Sequence, residues 1–401
     1  MTALPITAET LIQLFYWATF IFCLFTFFNY SGSGSCEKLL TKNSMAPALI
    51  MICIYIIVMG LRPLSYRFVD TMNYAATYYR TLPIFGEIDW NKEWLFALYR
   101  TWCRSMGFSV NTYFLIIEIG YLGFMFWAYG KALWENVWFA MLFGLSSFSF
   151  FTYGVNGIRN GLACSIVTLA IIWAAKNKNY VAAGVVCFLA LGIHKSTLLP
   201  MAALVAALFF IKKPKVALMF WLISIPVSLA AGGPISNFFM GLGFDDRAEQ
   251  YMSDGGIEAG TSVGKTGFRW DFLAYSAMPV WLIWYVEKII KKRREELGIE
   301  KTVEEEETGV YGAGILADAQ SMRVYNVLAT IYLLTNAFWV MVIKANFSNR
   351  FAYLSWFLYP LVIAYPVIRL HIWEDQDKKA ALILLAHVGF TMIMFLLGKL
   401  L

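Results

Sequence analysis

The sequence predicts an all-α polytopic integral membrane protein with about twelve transmembrane helices. Of the 401 residues, 60% are hydrophobic and 14% are charged, about half the charged share of a soluble protein. A bilayer-spanning helix needs roughly 20 apolar residues, so the hydrophobic residues of this chain are enough for about a dozen spans. No stretch outside the apolar runs is long enough to bury its own core. A soluble enzyme, a secreted disulfide scaffold, a disordered chain and a singly anchored soluble domain are therefore excluded.

Each predicted span is an apolar run bounded by polar or turn-forming residues. The runs lie at about 10–29, 45–61, 109–128, 136–153, 158–175, 180–194, 196–211, 216–231, 271–289, 323–343, 350–368 and 380–399. No Lys or Arg precedes the first run, and no small-x-small cleavage site follows it. We therefore expect a retained span and not a signal peptide.

The short connections predict the orientation. Lys and Arg concentrate in the odd-numbered connections, for example at Lys131, Lys176 and 212–215, and such connections face the cytoplasm by the positive-inside rule. The two long even-numbered loops also carry cations, but long loops cross a membrane largely regardless of charge. Both termini are therefore expected on the outer side.

We expect residues 1–401 to form a single transmembrane domain with three notable connections. These are an outer loop at 62–108 that contains an amphipathic helix, a glycine-rich flexible outer loop at 232–270, and a charged cytoplasmic linker at 290–322. The six cysteines and three histidines are scattered, which predicts neither a disulfide framework nor a metal centre. The net charge of +6 reflects the membrane topology and predicts no nucleic-acid partner.

Four separate outer connections carry cations at the mouths of helices. The residues concerned are Arg62 and Arg67, then Arg159 beside Asn160, then His194 and Lys195, and finally Arg350. Ionisable groups at membrane depth are costly and tend to line a cavity or to pair with one another. Their convergence predicts one outward-facing basic cavity, whose natural ligand is an anion.

Simpler interpretations of the same residues remain open. Arg159 and Arg350 could snorkel to lipid headgroups, His194 could be a hydrogen-bonded residue at a helix end, and Lys195 could be an ordinary interfacial charge.

Glu118 lies near the middle of a predicted span, so it is expected to be protonated or paired with a residue on another helix. This acid within a span is the best single clue for a transporter.

Asp70 begins a stretch in which polar residues recur at helical spacing, including Tyr74. It could cap the helix, or it could serve as a general base beside the basic cavity. The aromatic residues of this loop fit an interfacial belt, and their rings could also stack on sugars.

Four segments in this order resemble the EpsG family of Wzy-like, O-antigen-type polysaccharide polymerases. They are GLRPLSYRFVDTMNY at 60–74, GIRNGLA at 157–163, GIHKSTLL at 192–199 and SNRFAY at 348–353. The likeness extends from about 45 to 370. It implies a fold similar to GT-C glycosyltransferases and a place in the bacterial inner membrane, where the outer side expected for both termini is the periplasm. It also implies roles for Arg62, Asp70, Tyr74, Arg159, His194 and Arg350.

The resemblance implies transfer of a growing glycan from undecaprenyl diphosphate to the terminal sugar hydroxyl of a lipid-linked repeat unit. Arg159 and Arg350 would stabilise the leaving diphosphate, Lys195 would assist as a point charge, and His194 or Asp70 would take the hydroxyl proton. Arg62, Arg67, Tyr74 and Asn160 would bind substrate. His194 is favoured as the base, since the unperturbed pKa of histidine is near neutrality.

No acidic cluster has metal-ligand spacing, so we expect a metal-independent glycosyltransferase without a cofactor. Its expected partners are the undecaprenyl-diphosphate-linked oligosaccharide, the lipid bilayer, a chain-length regulator and a flippase. Three alternatives stay open: a glycan ligase, a GT-C enzyme that uses a polyprenyl-phosphate donor, and a transporter or flippase of an anionic substrate.

Overall fold

The computed structural model describes residues 1–32, 38–39, 44–85, 88–241, 268–296, 319–344, 349–370 and 372–398. These residues form helices and connecting turns, with no β-strand among them, so the predicted all-α class is confirmed. In chain order the helices are α1 Ala8–Ser31, α2 Met45–Gly60, α3 Val69–Arg80, α4 Trp94–Ser105, α5 Val110–Ala132, α6 Val137–Leu145, α7 Phe150–Val155, α8 Ile158–Asn177, α9 Tyr180–Ile193, α10 Leu198–Val205, α11 Pro214–Gly241, α12 Trp270–Glu296, α13 Ala319–Met341, α14 Asn349–Trp356, α15 Tyr359–Arg369 and α16 Gln376–Leu396.

Within the described residues, seven helical segments are long and apolar enough to cross a membrane. They are α1, α5, α8, α13, α16, the first part of α11 (Pro214–Ala231), and α14 with α15 taken together. Three shorter apolar segments accompany them: α2, α9 and the stretch Lys195–Phe210. The chain is therefore a polytopic membrane protein, and each predicted span contains helix.

The predicted span at 136–153 is broken in the middle. Helix α6 ends at Leu145 and α7 begins at Phe150. The Ser146 hydroxyl donates to the carbonyl four residues back, and the Ser147 hydroxyl donates to the carbonyl three residues back. Serine side chains that bond to preceding carbonyls compete with the helical backbone. This break turns the chain before α8.

Helix α5 packs against both α2 and α8, while α8 also packs against α9. Gly60 makes the approach of α2 to α5 possible, because a Cβ there would lie 2.7 Å from a side-chain carbon of Leu115. The other principal pairs are α11 with α13 and α1 with α16. The buried core is one continuous cluster of apolar and aromatic side chains.

One end of the bundle carries the segment 61–109 and is called here the loop end. The backbone N–H of Leu4 donates to the carbonyl of Leu61, and the Ser109 hydroxyl donates to the carbonyl of Met1. Helices α8 and α14 begin at this end, and α9 finishes there. The described even-numbered connections at 61–109, 156–157 and 194–197 thus lie on one side, as an alternating topology requires.

The opposite end carries described parts of the odd-numbered connections. There the Asp377 carboxylate accepts hydrogen bonds from the backbone N–H groups of Lys38 and Leu39, at 3.0 and 3.2 Å. The Arg323 guanidinium donates to the last carbonyls of α8, including that of Ala175. Parts of the glycine-rich loop (242–267) and of the charged linker (297–318) fall outside the described residues.

Candidate functional site

A three-residue ionic cluster occupies the loop end, with Glu93 at its centre. One carboxylate oxygen of Glu93 accepts a hydrogen bond from Nη1 of Arg159, and the other is hydrogen-bonded to Nδ1 of His194. The Tyr74 hydroxyl accepts from Nε of Arg159 at 3.1 Å. Three residues singled out from the sequence, Tyr74, Arg159 and His194, are therefore neighbours.

The GIRNGLA segment positions Arg159 through a tight corner. Arg159 lies in the first turn of α8, directly after α7 and the capping residue Gly157. At Gly161 a Cβ would lie 2.7 Å from the carbonyl oxygen of Tyr153. Only glycine lets α7 and α8 approach so closely, and this approach directs Arg159 towards Glu93.

A second glycine places Glu93 beside His194. A Cβ at Gly192 would lie 2.8 Å from a ring carbon of Trp94 and 2.9 Å from Cβ of Leu95. The first turn of α4 therefore rests directly on the last turn of α9. His194 follows that turn in an extended conformation, with φ −154° and ψ 115°, before a short helical turn at Lys195–Thr197.

The cluster is largely shielded from solvent. The side chains of Arg159, His194 and Glu93 are 23%, 16% and 13% exposed. The Arg159 guanidinium also lies 5.6 Å from the ring centre of Tyr74 and 5.9 Å from that of Phe96. Charges in such surroundings are screened less than charges in water, so the cluster fixes a guanidinium and an imidazole in a defined geometry.

A cavity of about 440 Å³ adjoins the cluster. We call it the basic cleft. The C-terminal end of α3, the following loop and α4 form its walls, together with Arg159. Its charged lining residues are Arg80, Asp89, Lys92, Glu93, Arg100 and Arg159. The volume falls within the range of about 300–1,000 Å³ that is typical of ligand pockets.

Two phenols, of the buried Tyr78 and the half-buried Tyr99, hold α3 and α4 onto the bundle. The Tyr78 hydroxyl donates to the carbonyl of Phe108, and the Tyr99 hydroxyl donates to the carbonyl of Tyr113, both at 2.6 Å. Burial raises the pKa of the Tyr99 phenol well above its usual value, so the group remains a neutral donor. The walls of the basic cleft are thus attached to the first turn of α5 and the residues before it.

Arg62 lies in a different environment from the cluster. Its Nη1 is 3.1 Å from a carboxylate oxygen of Glu118, and both side chains are 0% exposed. The guanidinium also donates to Oγ1 of Thr71 and to the carbonyl of Met59. Glu118 is therefore paired across helices, which is one of its two predicted states. This placement favours a structural role for Arg62 over the predicted contact with substrate.

The other predicted residues occupy varied positions. Asp70 lies inside the first turn of α3, whose N-cap position is Phe68, so it does not cap the helix, and no hydrogen bond or ion pair joins its carboxylate to a described residue. Asn160 accepts from the thiol of Cys164. Arg67 is exposed, and Lys195 is half-buried next to His194.

Arg350 is half-buried in the first turn of α14, at the loop end. One turn further on, the carbonyl of Tyr353 accepts a hydrogen bond from the hydroxyl of Tyr153. This contact ties α14 to the α7–α8 corner that carries Arg159. The Ser348 end of the SNRFAY segment lies outside the described residues.

Sequence reasoning missed Glu93, the residue that joins the cluster. It is 66 residues from Arg159 and 101 from His194 along the chain, and no motif marks it. A signal was present nevertheless: an Arg and a His in adjacent turns need a counter-charge, and Glu93 is an acid between two tryptophans, Trp90 and Trp94, in the loop that faces them.

Among the described residues, no group of three or more His, Cys, Asp or Glu side chains could hold a metal ion. His371 and the acids at 245–246 lie outside the described part. The expectation of metal-independent chemistry therefore stays a prediction.

Comparison with known proteins identifies one family. The family model described as the EpsG family matches residues 47–399. No curated protein and no solved structure matches the chain.

Proposed function

Since the chain belongs to the EpsG family of bacterial membrane polysaccharide polymerases, we propose that it is a glycosyltransferase that extends a cell-surface polysaccharide. It transfers a growing glycan from undecaprenyl diphosphate to the terminal sugar hydroxyl of a lipid-linked repeat unit. The loop end then faces the periplasm, and both termini lie on that side of the inner membrane. A chain-length regulator and a flippase are its proposed partners.

Arg159 would stabilise the leaving diphosphate. Negative charge develops on that group as its bond to the sugar breaks, and a fixed guanidinium in a partly dry site stabilises such charge more than water does. Guanidinium groups also bind phosphate oxygens in bidentate fashion. In the structure the Glu93 carboxylate accepts a hydrogen bond from Nη1 of Arg159. An incoming diphosphate therefore competes with Glu93 for the guanidinium.

His194 would remove the proton of the attacking hydroxyl. Its Nδ1 is hydrogen-bonded to Glu93, and a carboxylate at that position holds the proton on Nδ1. Nε2 is then the unprotonated nitrogen that accepts a proton from substrate, which is how carboxylate–histidine pairs act in other enzymes. This makes Glu93 a positioning residue and favours His194 over Asp70 as the base.

The observation that carries the proposal is the Glu93 carboxylate shared between Arg159 and His194 at the loop end. The test is incubation of purified full-length protein with an undecaprenyl-diphosphate-linked oligosaccharide, in buffer with and without a metal chelator. We expect a ladder of glycan products in both conditions. A product joined to a different acceptor would identify a ligase, and absence of any transfer would contradict the proposal.

Glu93→Gln provides the sharpest variant. It replaces two charge-assisted hydrogen bonds, each worth about 1.5–3 kcal/mol, and its amide can donate to Nδ1, which puts the proton on Nε2. We expect kcat to fall about 10–100-fold. The matched control is Glu9→Gln, an exposed acid in the first turn of α1, which should retain normal turnover. Equal rates in both variants would remove Glu93 and His194 from the mechanism.

The transporter alternative receives no support from Glu118. Its carboxylate is paired with Arg62 in a site from which water is excluded. The ligase alternative uses the same cations and base, so only the identity of the acceptor in the assay separates it from a polymerase.

A further inference from the structure

The basic cleft holds more positive charge than its own acids neutralise. Four cationic side chains face two carboxylates, Asp89 and Glu93. Asp89 lies 3.6 Å from Lys92, and Glu93 binds Arg159. The cleft therefore keeps a net charge of about two positive units, carried by Arg80 and Arg100.

Arg80 and Arg100 have no hydrogen bond or ion pair with any described residue. Arg80 is exposed at the end of α3, while Nε of Arg100 is buried without a partner. Burying a guanidinium nitrogen that lacks an acceptor costs free energy. A ligand that supplies an acceptor oxygen would remove that cost, so the cleft is suited to an anionic group.

The position of these arginines separates them from the proposed diphosphate site. Arg80 lies six residues beyond Tyr74 in α3, about 9 Å of helical rise. Arg100 lies in α4, seven residues beyond Glu93, the residue that precedes this helix, which is about 10 Å of rise. A diphosphate attached to a lipid in the bilayer must lie near the ends of the spanning helices, where Arg159 and His194 are. Helices α3 and α4 are not among the spanning segments.

The surroundings of the cleft fit a carbohydrate. Phe96 and Thr101 contribute to the lining, and Trp90, next to the lining residue Asp89, is 65% exposed. Its ring lies 5.5 Å from that of Trp94. Exposed aromatic rings offer faces to sugars, and hydroxyl and carboxylate groups of a sugar can pair with guanidinium groups.

We propose that the basic cleft is a subsite for an acidic sugar of the glycan, with Arg80 and Arg100 binding its carboxylate. This inference rests on the proposed function, because it assigns the substrate class of the same site: a lipid-linked glycan that carries uronate residues or a similar acid. Arg80 and Arg100 are then specificity-determining residues, and Arg159 remains the residue for the diphosphate.

The test is a binding titration followed by tryptophan fluorescence, with purified full-length protein. The probes are a soluble tetrasaccharide that contains glucuronate, the same tetrasaccharide with its carboxyl groups reduced, and inorganic diphosphate. We expect the acidic tetrasaccharide to bind and the double variant Arg80→Gln/Arg100→Gln to weaken that binding about tenfold. The reduced tetrasaccharide should bind wild type at least tenfold more weakly than the acidic one. Diphosphate affinity should be unchanged in the double variant and reduced in Arg159→Gln.

The control is Arg269→Gln, which removes a cation paired with Asp271 and distant in sequence from the cleft lining. It should bind the acidic tetrasaccharide as wild type does. Arg100→Lys keeps the charge and should retain part of the affinity, and unfolding curves of all variants show that the fold is intact.

Three outcomes would overturn the subsite. They are equal binding of the acidic and reduced tetrasaccharides, no binding of the acidic one to wild type, and loss of diphosphate affinity in the double variant, which would assign the cleft to the lipid diphosphate instead. None of these measurements requires turnover. Failure of the subsite is therefore distinguishable from failure of the polymerase proposal, which the product ladder tests.

Discussion

Glu118→Gln is expected to destabilise the protein by about 3–5 kcal/mol, the cost of removing one partner from a buried ion pair. This loss of stability is large for a single substitution, because both side chains of the pair are 0% exposed. The Arg62 guanidinium would be left charged among apolar helices. One nitrogen of Arg62 and one oxygen of Glu118 already have no partner among the described residues, and the other acceptors of the guanidinium, the Thr71 hydroxyl and the Met59 carbonyl, are neutral.

The assay is thermal unfolding of purified full-length variants in detergent. At about 2 °C per kcal/mol, Glu118→Gln should lower Tm by roughly 6–10 °C. The double variant Arg62→Met/Glu118→Leu should recover most of that loss, because a buried ion pair is often replaceable by apolar side chains of similar size. Thr71 keeps its bond to the carbonyl of Val155 in that variant, so few polar groups are stranded.

Additive losses in Arg62→Met, Glu118→Leu and the double variant would refute this reasoning, as would an unchanged Tm for Glu118→Gln. The exposed acid Glu9, replaced by Gln, serves as the control for charge removal alone. The result also matters for function. If the pair is structural, any loss of polymer in Glu118→Gln follows the loss of folded protein and is not a sign of proton coupling.

Three further substitutions test the geometry of the loop end. Gly192→Ala puts a methyl group 2.8 Å from a ring carbon of Trp94. We expect glycan transfer, measured by the product ladder, to fall at least tenfold while the protein level, measured by immunoblot, is retained. Normal transfer would show that activity does not require the close contact of α4 with α9. Tyr74→Phe removes the 3.1 Å hydrogen bond to the guanidinium but keeps the aromatic ring; a loss of about 1 kcal/mol predicts a roughly fivefold lower kcat/KM, and a loss of more than a hundredfold would mean that the hydroxyl takes part in the chemistry. Gly154→Ala places a methyl group 2.1 Å from the terminal carbon of Met59, which can move, and 3.2 Å from an oxygen of the buried Glu118 carboxylate, which Arg62 holds in place. It should lower Tm by several degrees, and an unchanged Tm would show that this helix contact adjusts freely.

The helices were predictable from the sequence because apolar periodicity and length determine them locally. The break at Ser146–Ser149 was not, since it depends on side-chain bonds to the preceding carbonyls and not on hydropathy. Helices α2 and α9 match the predicted runs at 45–61 and 180–194, but with 16 and 14 residues they are shorter than the roughly 20 residues that a span usually needs.

The site was predictable only where a short turn forced polar residues to one end. Arg159 and His194 each follow a glycine-containing turn, so their end of the bundle could be inferred from topology. The long loop carries Arg80 and Arg100 on its helices, and Glu93 directly before the second of them. The orientation of these helices on the bundle depends on contacts between residues distant in sequence, such as Gly192 against Trp94, so the sequence alone does not predict it. Arg62 shows the converse: its position next to a span end predicted a place in the outward-facing basic cavity, whereas it is paired with Glu118 inside the bundle.

The pairing of α1 with α16 has a consequence for biogenesis. These helices are separated by roughly 350 residues of chain, yet they pack side by side. The Asp377 carboxylate also accepts a hydrogen bond from the backbone of Lys38, shortly after α1. Translation at about 5–20 residues per second leaves α1 without its principal neighbour for roughly 20–70 s. During that interval the face of α1 that packs against α16 is exposed to lipid. A ribosome that stalls late would therefore release a chain in which α1 is inserted but lacks its packing partner. Such a chain would be a substrate for membrane quality-control proteases.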